Sequence, residues 1–286
     1  MTIKTETIKI TSKNGTFDGY LALPDSDAPR PGVIVIQEVF GVNSHIQDVT
    51  RRVAELGYPA LAPDMFWPLQ PGFDVGYGEA DLEQARGLMG QMNVDTAVED
   101  VAGAMEALNA RPETDAGKTG VVGFCWGGLI TYLVACRLNP TCAASYYGGR
   151  IVQFIDEAAN MKNPVMFNIG EQDASIPMEQ VEQIKEAVAG KSGVWCIPTR
   201  KPSTASTATC GAATTRPAPS RPGSAPRSFS GSTWVRRASK FLAGRPPGAA
   251  GLARLPVFQQ FVDGFPQFAR GVGLAEQPQI LPGQEV

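Results

Sequence analysis

Residues 119–136 read Thr119-Gly-Val-Val-Gly-Phe-Cys-Trp-Gly-Gly-Leu-Ile-Thr-Tyr-Leu-Val-Ala-Cys136, and this stretch decides the fold. Thr119–Phe124 is a short β-branched and apolar run, as expected of a strand covered on both faces. The residues from Gly127 to Cys136 are apolar all round, which predicts a helix sunk in the interior. A buried strand that turns at once into a buried helix is the unit from which parallel sheets are built.

The sequence on either side repeats the pattern. Ile8-Lys-Ile10 and Phe17–Leu23 alternate like a hairpin exposed on one face. Gly32–Ile36 is a second continuous apolar strand, and Tyr58–Ala62 a short third. Between them Ile46, Val49, Val53 and Leu56 fall three or four apart, predicting a helix from Ser44 that Gly57 stops. Asp95 is expected to cap a helix carrying Val98, Val101, Met105 and Leu108. Ala143–Tyr147 and Pro164–Ile169 look like further strands, and Val181–Val188 closes the series as a helix. The fold class expected is α/β, with a mostly parallel central sheet and helices on both faces.

The 286-residue chain is 43% hydrophobic and carries a net charge of −3. That composition suits a globular protein and gives no reason to expect nucleic acid or an anionic membrane as partner. No apolar run reaches the length of a membrane span, and residues 1–11 lack the apolar core of a signal peptide. The five cysteines, at 125, 136, 142, 196 and 210, are odd in number and show no paired spacing, so reduced thiols and a cytoplasmic setting are expected. Composition divides the chain into a domain over 1–194 and an atypical Pro/Ser/Thr/Ala/Arg-rich tail over 195–286. No Asp or Glu occurs between Ala187 and Val262, and residues 198–227 cannot bury enough apolar surface to offset the entropy of ordering. The tail is therefore expected to be disordered.

Gly123-Phe-Cys125-Trp-Gly127 is a G-x-nucleophile-x-G elbow with Cys in the nucleophile's place. The helix that follows should lower the thiol pKa and aim backbone N–H groups at a developing oxyanion. Three segments in order resemble the dienelactone hydrolase family: Val35–Gly41, the elbow from Gly120 to Gly128, and Asn168–Pro177. Pro63–Phe66 and Tyr146–Gly149 add to the resemblance, which runs from about Ile8 to about Val194. The resemblance implies an α/β-hydrolase fold and a Cys–His–Asp triad that opens a lactone or small ester through an acyl-enzyme. Cys125 would be the nucleophile, Asp173 the acid that orients the histidine, and Glu38 the carboxylate that hydrogen-bonds the resting thiol. The backbone N–H groups of Val39 and Trp126 would form the oxyanion hole. No cofactor or metal is implied. The expected partner is a small lactone or ester, and a monomer is expected.

The resemblance also implies a last strand near Gly193–Ile197 with the family's histidine a few residues on, and no histidine stands there. The one histidine in the chain is His45, where the family has no triad member. A reading-frame shift near Val194 is the expected origin of both the loss and the acid-free composition. Shifted by one base, codons for Thr204–Thr209 can spell His-Gly-Phe-Asn-Cys-Asp, and those for Gly223–Phe229 can spell Trp-Glu-Arg-Thr-Pro-Glu-Phe. The codons of the gene itself decide this. Without the histidine, leaving-group protonation and water activation lack an agent, so an impaired and less stable enzyme is expected. The reading from a different class is a catalytically silent binding protein on the same fold. A related esterase or peptidase is a third, disfavoured by Cys at the elbow. Substrate specificity is expected to lie in the loop Trp67–Asp81.

Overall fold

The computed structural model describes residues 2–26, 28–171 and 173–199. The expectations for the tail from residue 200 onward, Cys210 included, lie outside the described residues. Eight strands form one sheet: β1 Ile3–Ser12, β2 Gly15–Pro24, β3 Arg30–Ile36, β4 Ala60–Pro63, β5 Thr114–Phe124, β6 Ala143–Tyr146, β7 Val165–Gly170 and β8 Val194–Thr199. Their order across the sheet is β1-β2-β4-β3-β5-β6-β7-β8. The β1–β2 and β2–β4 pairs are antiparallel. All the others are parallel. The expected hairpin is β1–β2, with Ile8 opposite Gly19 and Ile10 opposite Phe17. The expected last strand forms as β8 and runs through Thr199, past the 194 boundary drawn from composition.

The central strands read as unbroken apolar runs because both of their faces are covered. Ile34 and Ile36 of β3 and Val121 of β5 join one core layer, together with Ile130, Leu133 and Val134. Val33 and Val35, with Val122 and Phe124, join the other layer, against Ile46, Val49 and Val53. The second set lies on helix α1, Ser44–Glu55. The first layer is filled by α3, Val94–Asn109, α4, Trp126–Arg137, and α5, Met178–Ala187. Every residue of α4 from Trp126 to Cys136 is buried, which is why its sequence shows no polar stripe.

Three local expectations need correction. Leu56 lies past the end of α1 and is 49% exposed, because Gly57, at φ 95°, turns the chain away before another turn can form. The cap of α3 is Asn93, whose Oδ1 accepts from the N–H groups of Asp95 and Thr96. Asp95 sits in the first helical turn, where its carboxylate meets Arg137 at 2.7 Å. The expected specificity loop ends earlier than drawn, since α2 begins at Glu79 and runs to Met89. Helix α2 buries Ala85 alone, so its sequence shows little amphipathic pattern.

Candidate active site

The chain reverses direction across the sheet at β3. It steps from β3 outward to β4 and then returns to the other side of β3 as β5. In open parallel sheets the crevice at such a switch, beyond the carboxyl ends of the strands, is the place where ligands bind. Ile36 of β3 lies opposite Gly123 of β5. Glu38 and Cys125 each come two residues later, and so leave neighbouring strands at the same level. Tyr147 follows the end of β6 and Asp173 follows the turn after β7. Four chemically active side chains thus stand along one edge of the sheet.

Cys125 has φ 55° and ψ −118°, outside the helical and extended regions. A non-glycine residue held there stores strain, and the surrounding chain must enforce it. Two glycines allow the close approach that does so. A Cβ on Gly123 would lie 2.1 Å from the Gly127 carbonyl oxygen, and one on Gly127 would lie 2.4 Å from that of Gln37. The Cys125 N–H donates to the Tyr146 carbonyl at 3.0 Å, fixing the turn to β6. Tyr147, next along that strand, has φ 37° and shares the strained geometry.

The thiol receives a hydrogen bond from the Trp126 N–H at the start of α4. The expected lowering of the thiol pKa does not result. Burial, reinforced by the nearby Glu38 carboxylate, pushes Cys125 up to about 12, against the opposing pull of the Trp126 N–H. Asp173 adds to the rise and Arg86, on α2, works against it. Among the described residues no backbone carbonyl takes the N–H of Val39 or of Trp126. The Val39 N–H is thus without a backbone acceptor there, while the Trp126 N–H is directed at the Cys125 sulfur.

Glu38 is 3% exposed, a buried carboxylate rather than a loop charge. Its oxygens are taken by two phenols. Tyr147 donates to Oε1 at 3.0 Å and Tyr77 donates to Oε2 at 3.0 Å. The hydrogen bond expected between Glu38 and the resting thiol is not among the bonds of the described residues. Asp173 Oδ1 accepts from the backbone N–H and the hydroxyl of Ser175, which sets the turn before Pro177. His45 lies on α1 with its ring edge-on to Tyr77, centroids 6.5 Å apart, and its buried Nε2 has no hydrogen-bond partner among the described residues. Among the described residues no His, Cys, Asp and Glu cluster could hold a metal.

Sequence reasoning missed Tyr77 and Arg86, and took Tyr147 only as a landmark. Tyr147 had a signal, since it directly follows an apolar strand. Tyr77 and Arg86 had none, because a loop and a weakly buried helix bring them to the site only through tertiary packing.

A strand–elbow–helix with its nucleophile at the carboxyl edge of a mostly parallel sheet defines the α/β-hydrolase fold. Within that class, the family described as the dienelactone hydrolase family matches residues 17–194. A carboxymethylenebutenolidase of Pseudomonas putida is 31% identical over 183 residues, covering 64% of this chain and 77% of its own. A Synechocystis sp. protein assigned to the same activity is 37% identical over 196 residues, covering 65% and 79% respectively. A Klebsiella pneumoniae structure described as a dienelactone hydrolase is similar at 28% identity and a TM-score of 0.62, covering 69% of this chain and 85% of that one. The chain belongs to the dienelactone hydrolase family, a group of ester-bond hydrolases. No described helix is long and apolar enough to cross a membrane.

Proposed function

We propose that the chain takes small lactones or esters at the crevice between β3 and β5 and forms a thioester at Cys125. The observation that carries this is the strained Cys125 turn, closed by Gly123 and Gly127, with the Trp126 N–H on its sulfur and a buried carboxylate beside it. The thiolate attacks the carbonyl carbon, and the Val39 and Trp126 N–H groups stabilise the oxyanion that develops. Collapse of that intermediate expels the alkoxide or phenoxide. Glu38 takes the thiol proton, and Asp173 is the acid that would orient an imidazole. Arg86 is half-buried, with no ion pair among the described residues and a favourable field at the thiol. It suits a substrate that carries a negative charge.

The chain holds one histidine, His45, and that ring packs on Tyr77. Water attack on the thioester therefore lacks its usual base, and acylation should run to about one equivalent and then stall. The test is intact mass and peptide mapping after exposure to a p-nitrophenyl ester. The expected result is a single acyl adduct on the Cys125 peptide, with a matching burst of p-nitrophenolate. Absence of an adduct at Cys125 sinks the reading. It would favour the second one, a silent binding protein, for which the high thiol pKa of about 12 is the supporting observation.

A further inference from the structure

Asp64 follows the last residue of β4 and is buried. Its N–H donates to the Asp18 carbonyl of β2 at 2.9 Å, which anchors it to the sheet. Its carboxylate has two backbone partners. Oδ1 accepts from the Phe66 N–H at 3.1 Å, and Oδ2 accepts from the Gly72 N–H at 2.7 Å. Burial pushes the carboxyl pKa up against the pull of these two bonds, and Asp18, of like charge, adds to the rise. What favours a carboxylate in such a place is its hydrogen bonds. Those bonds close the loop 64–78, joining its near leg at Phe66 to its far leg at Gly72.

Each leg runs to one of the proposed oxyanion donors. On the far leg the Val75 N–H donates to the Phe40 carbonyl at 3.2 Å, and Asp74 forms an antiparallel bridge with Gly41. Gly41 has φ 83°, and a Cβ there would lie 1.8 Å from the Phe73 carbonyl oxygen. Glycine alone permits that approach. The segment that carries the Val39 N–H is thus edged by residues 73–75. On the near leg the Met65 N–H donates to Gln37 Oε1 at 3.1 Å, and the Phe66 ring lies 5.5 Å from that of Trp126.

We propose that Asp64 is a positioning residue of the oxyanion hole: by tying Gly72 to the end of β4 it holds residues 73–75 against Phe40 and Gly41, and so aims the Val39 N–H. This rests on the reading of Val39 and Trp126 as donors to an oxyanion formed on Cys125. Asp64 acts through the backbone of its loop, not on the substrate. Asp64→Asn keeps the shape and leaves one acceptor oxygen where two are used.

The experiment compares two reactions of Cys125 in the full chain and in Asp64→Asn, both read by peptide mapping. Acylation by a p-nitrophenyl ester passes through an oxyanion. Exchange with methyl methanethiosulfonate forms a disulfide at Cys125 and expels methanesulfinate, with no carbonyl oxyanion on the way. Asp64→Asn should slow acylation by about tenfold to a hundredfold, the scale set by misplacing one donor. The exchange rate should not change. A second measurement needs no variant, and decides the matter if Asp64→Asn does not fold. In the parent chain the Gly72 and Val75 amides should share one protection factor in hydrogen exchange, as groups that open together.

Unchanged acylation in Asp64→Asn overturns the proposal. So does an equal loss in both reactions, which marks a loosened fold. A Val75 amide far better protected than that of Gly72 also overturns it, because the leg is then held without Asp64. A parent chain that exchanges at Cys125 but takes no acyl group there refutes the thioester reading itself, whatever the two amides show.

Discussion

Cys125 and Cys136 lie at the two ends of α4, and burial pushes both thiols up to about 12. Desolvation alone therefore does not distinguish a reactive cysteine from a core one. Cys136 is 2% exposed and lies in the last turns of α4, with the Tyr132 hydroxyl as its hydrogen-bond partner. That hydroxyl is itself anchored on the Phe154 carbonyl at 2.8 Å. Its backbone is ordinary helix, and the carboxylate in its field, Glu157, is held by Arg137 at 2.7 Å. Cys125 stands at the opposite pole of the same helix, where backbone N–H groups point outward and the chain is held at φ 55°. What sets Cys125 apart from Cys136 is the polarity of the helix and the topology of the sheet, since burial is common to both.

The largest test of that contrast is chemical. Cys125→Ala should lower acylation by a p-nitrophenyl ester at least about a thousandfold, the scale on which loss of a nucleophile is felt. Cys136→Ala should leave the acylation rate unchanged, because nothing connects it to the crevice. Equal losses in the two variants, measured by stopped-flow release of p-nitrophenolate, would break the comparison.

A smaller effect tests the backbone. In Gly127→Ala the new methyl would sit 2.4 Å from the Gln37 carbonyl oxygen and 2.7 Å from that of Ile36. Neither is the flexible end of a side chain, so β3 or α4 must shift, at a cost of about 3 kcal/mol by the usual scale of overpacking. Urea unfolding should show this loss, and acylation should fall with it as the elbow opens.

The smallest effect is on pH dependence. The ordinary thiol value is 9.0, whereas Cys125, Cys136 and Cys142 in the fold lie at about 12. The unfolded chain therefore releases protons that the folded chain retains. Stability contributed by these thiols is complete below the ordinary value and declines as pH rises through the window up to the folded one. Cys136→Ala should make the decline shallower, as read from urea midpoints at about pH 8 and about pH 10. An identical slope would mean that Cys136 titrates alike in both states.

The legibility of the chain follows the same division. The strands β3 and β5 and the helix α4 were readable because each is buried on all sides, so uninterrupted apolar runs leave no ambiguity of face. The placement of Cys125, Glu38 and Asp173 beyond the strand ends was readable because each follows a readable strand closely. The start of α3 was misplaced by two residues, since Asn93 and Asp95 are both good caps and only the backbone turn at Asn93 decides between them. Helix α2 was missed because Ala85 alone is buried on it.

By itself, then, the sequence determined the strand–elbow–helix unit, the parallel sheet around it, the cysteine in the elbow and the lack of a histidine after β8. These depend on local steric and hydrophobic preferences that are written residue by residue. The tertiary structure alone decided the state of the site. It placed Tyr77 and Tyr147 on Glu38 and brought Arg86 into the field of the thiol. It also set burial against the helix N-terminus, and burial pushes the Cys125 thiol up. Electrostatic balance depends on distance and water exclusion among residues far apart in the chain, and no local pattern of sequence encodes either quantity.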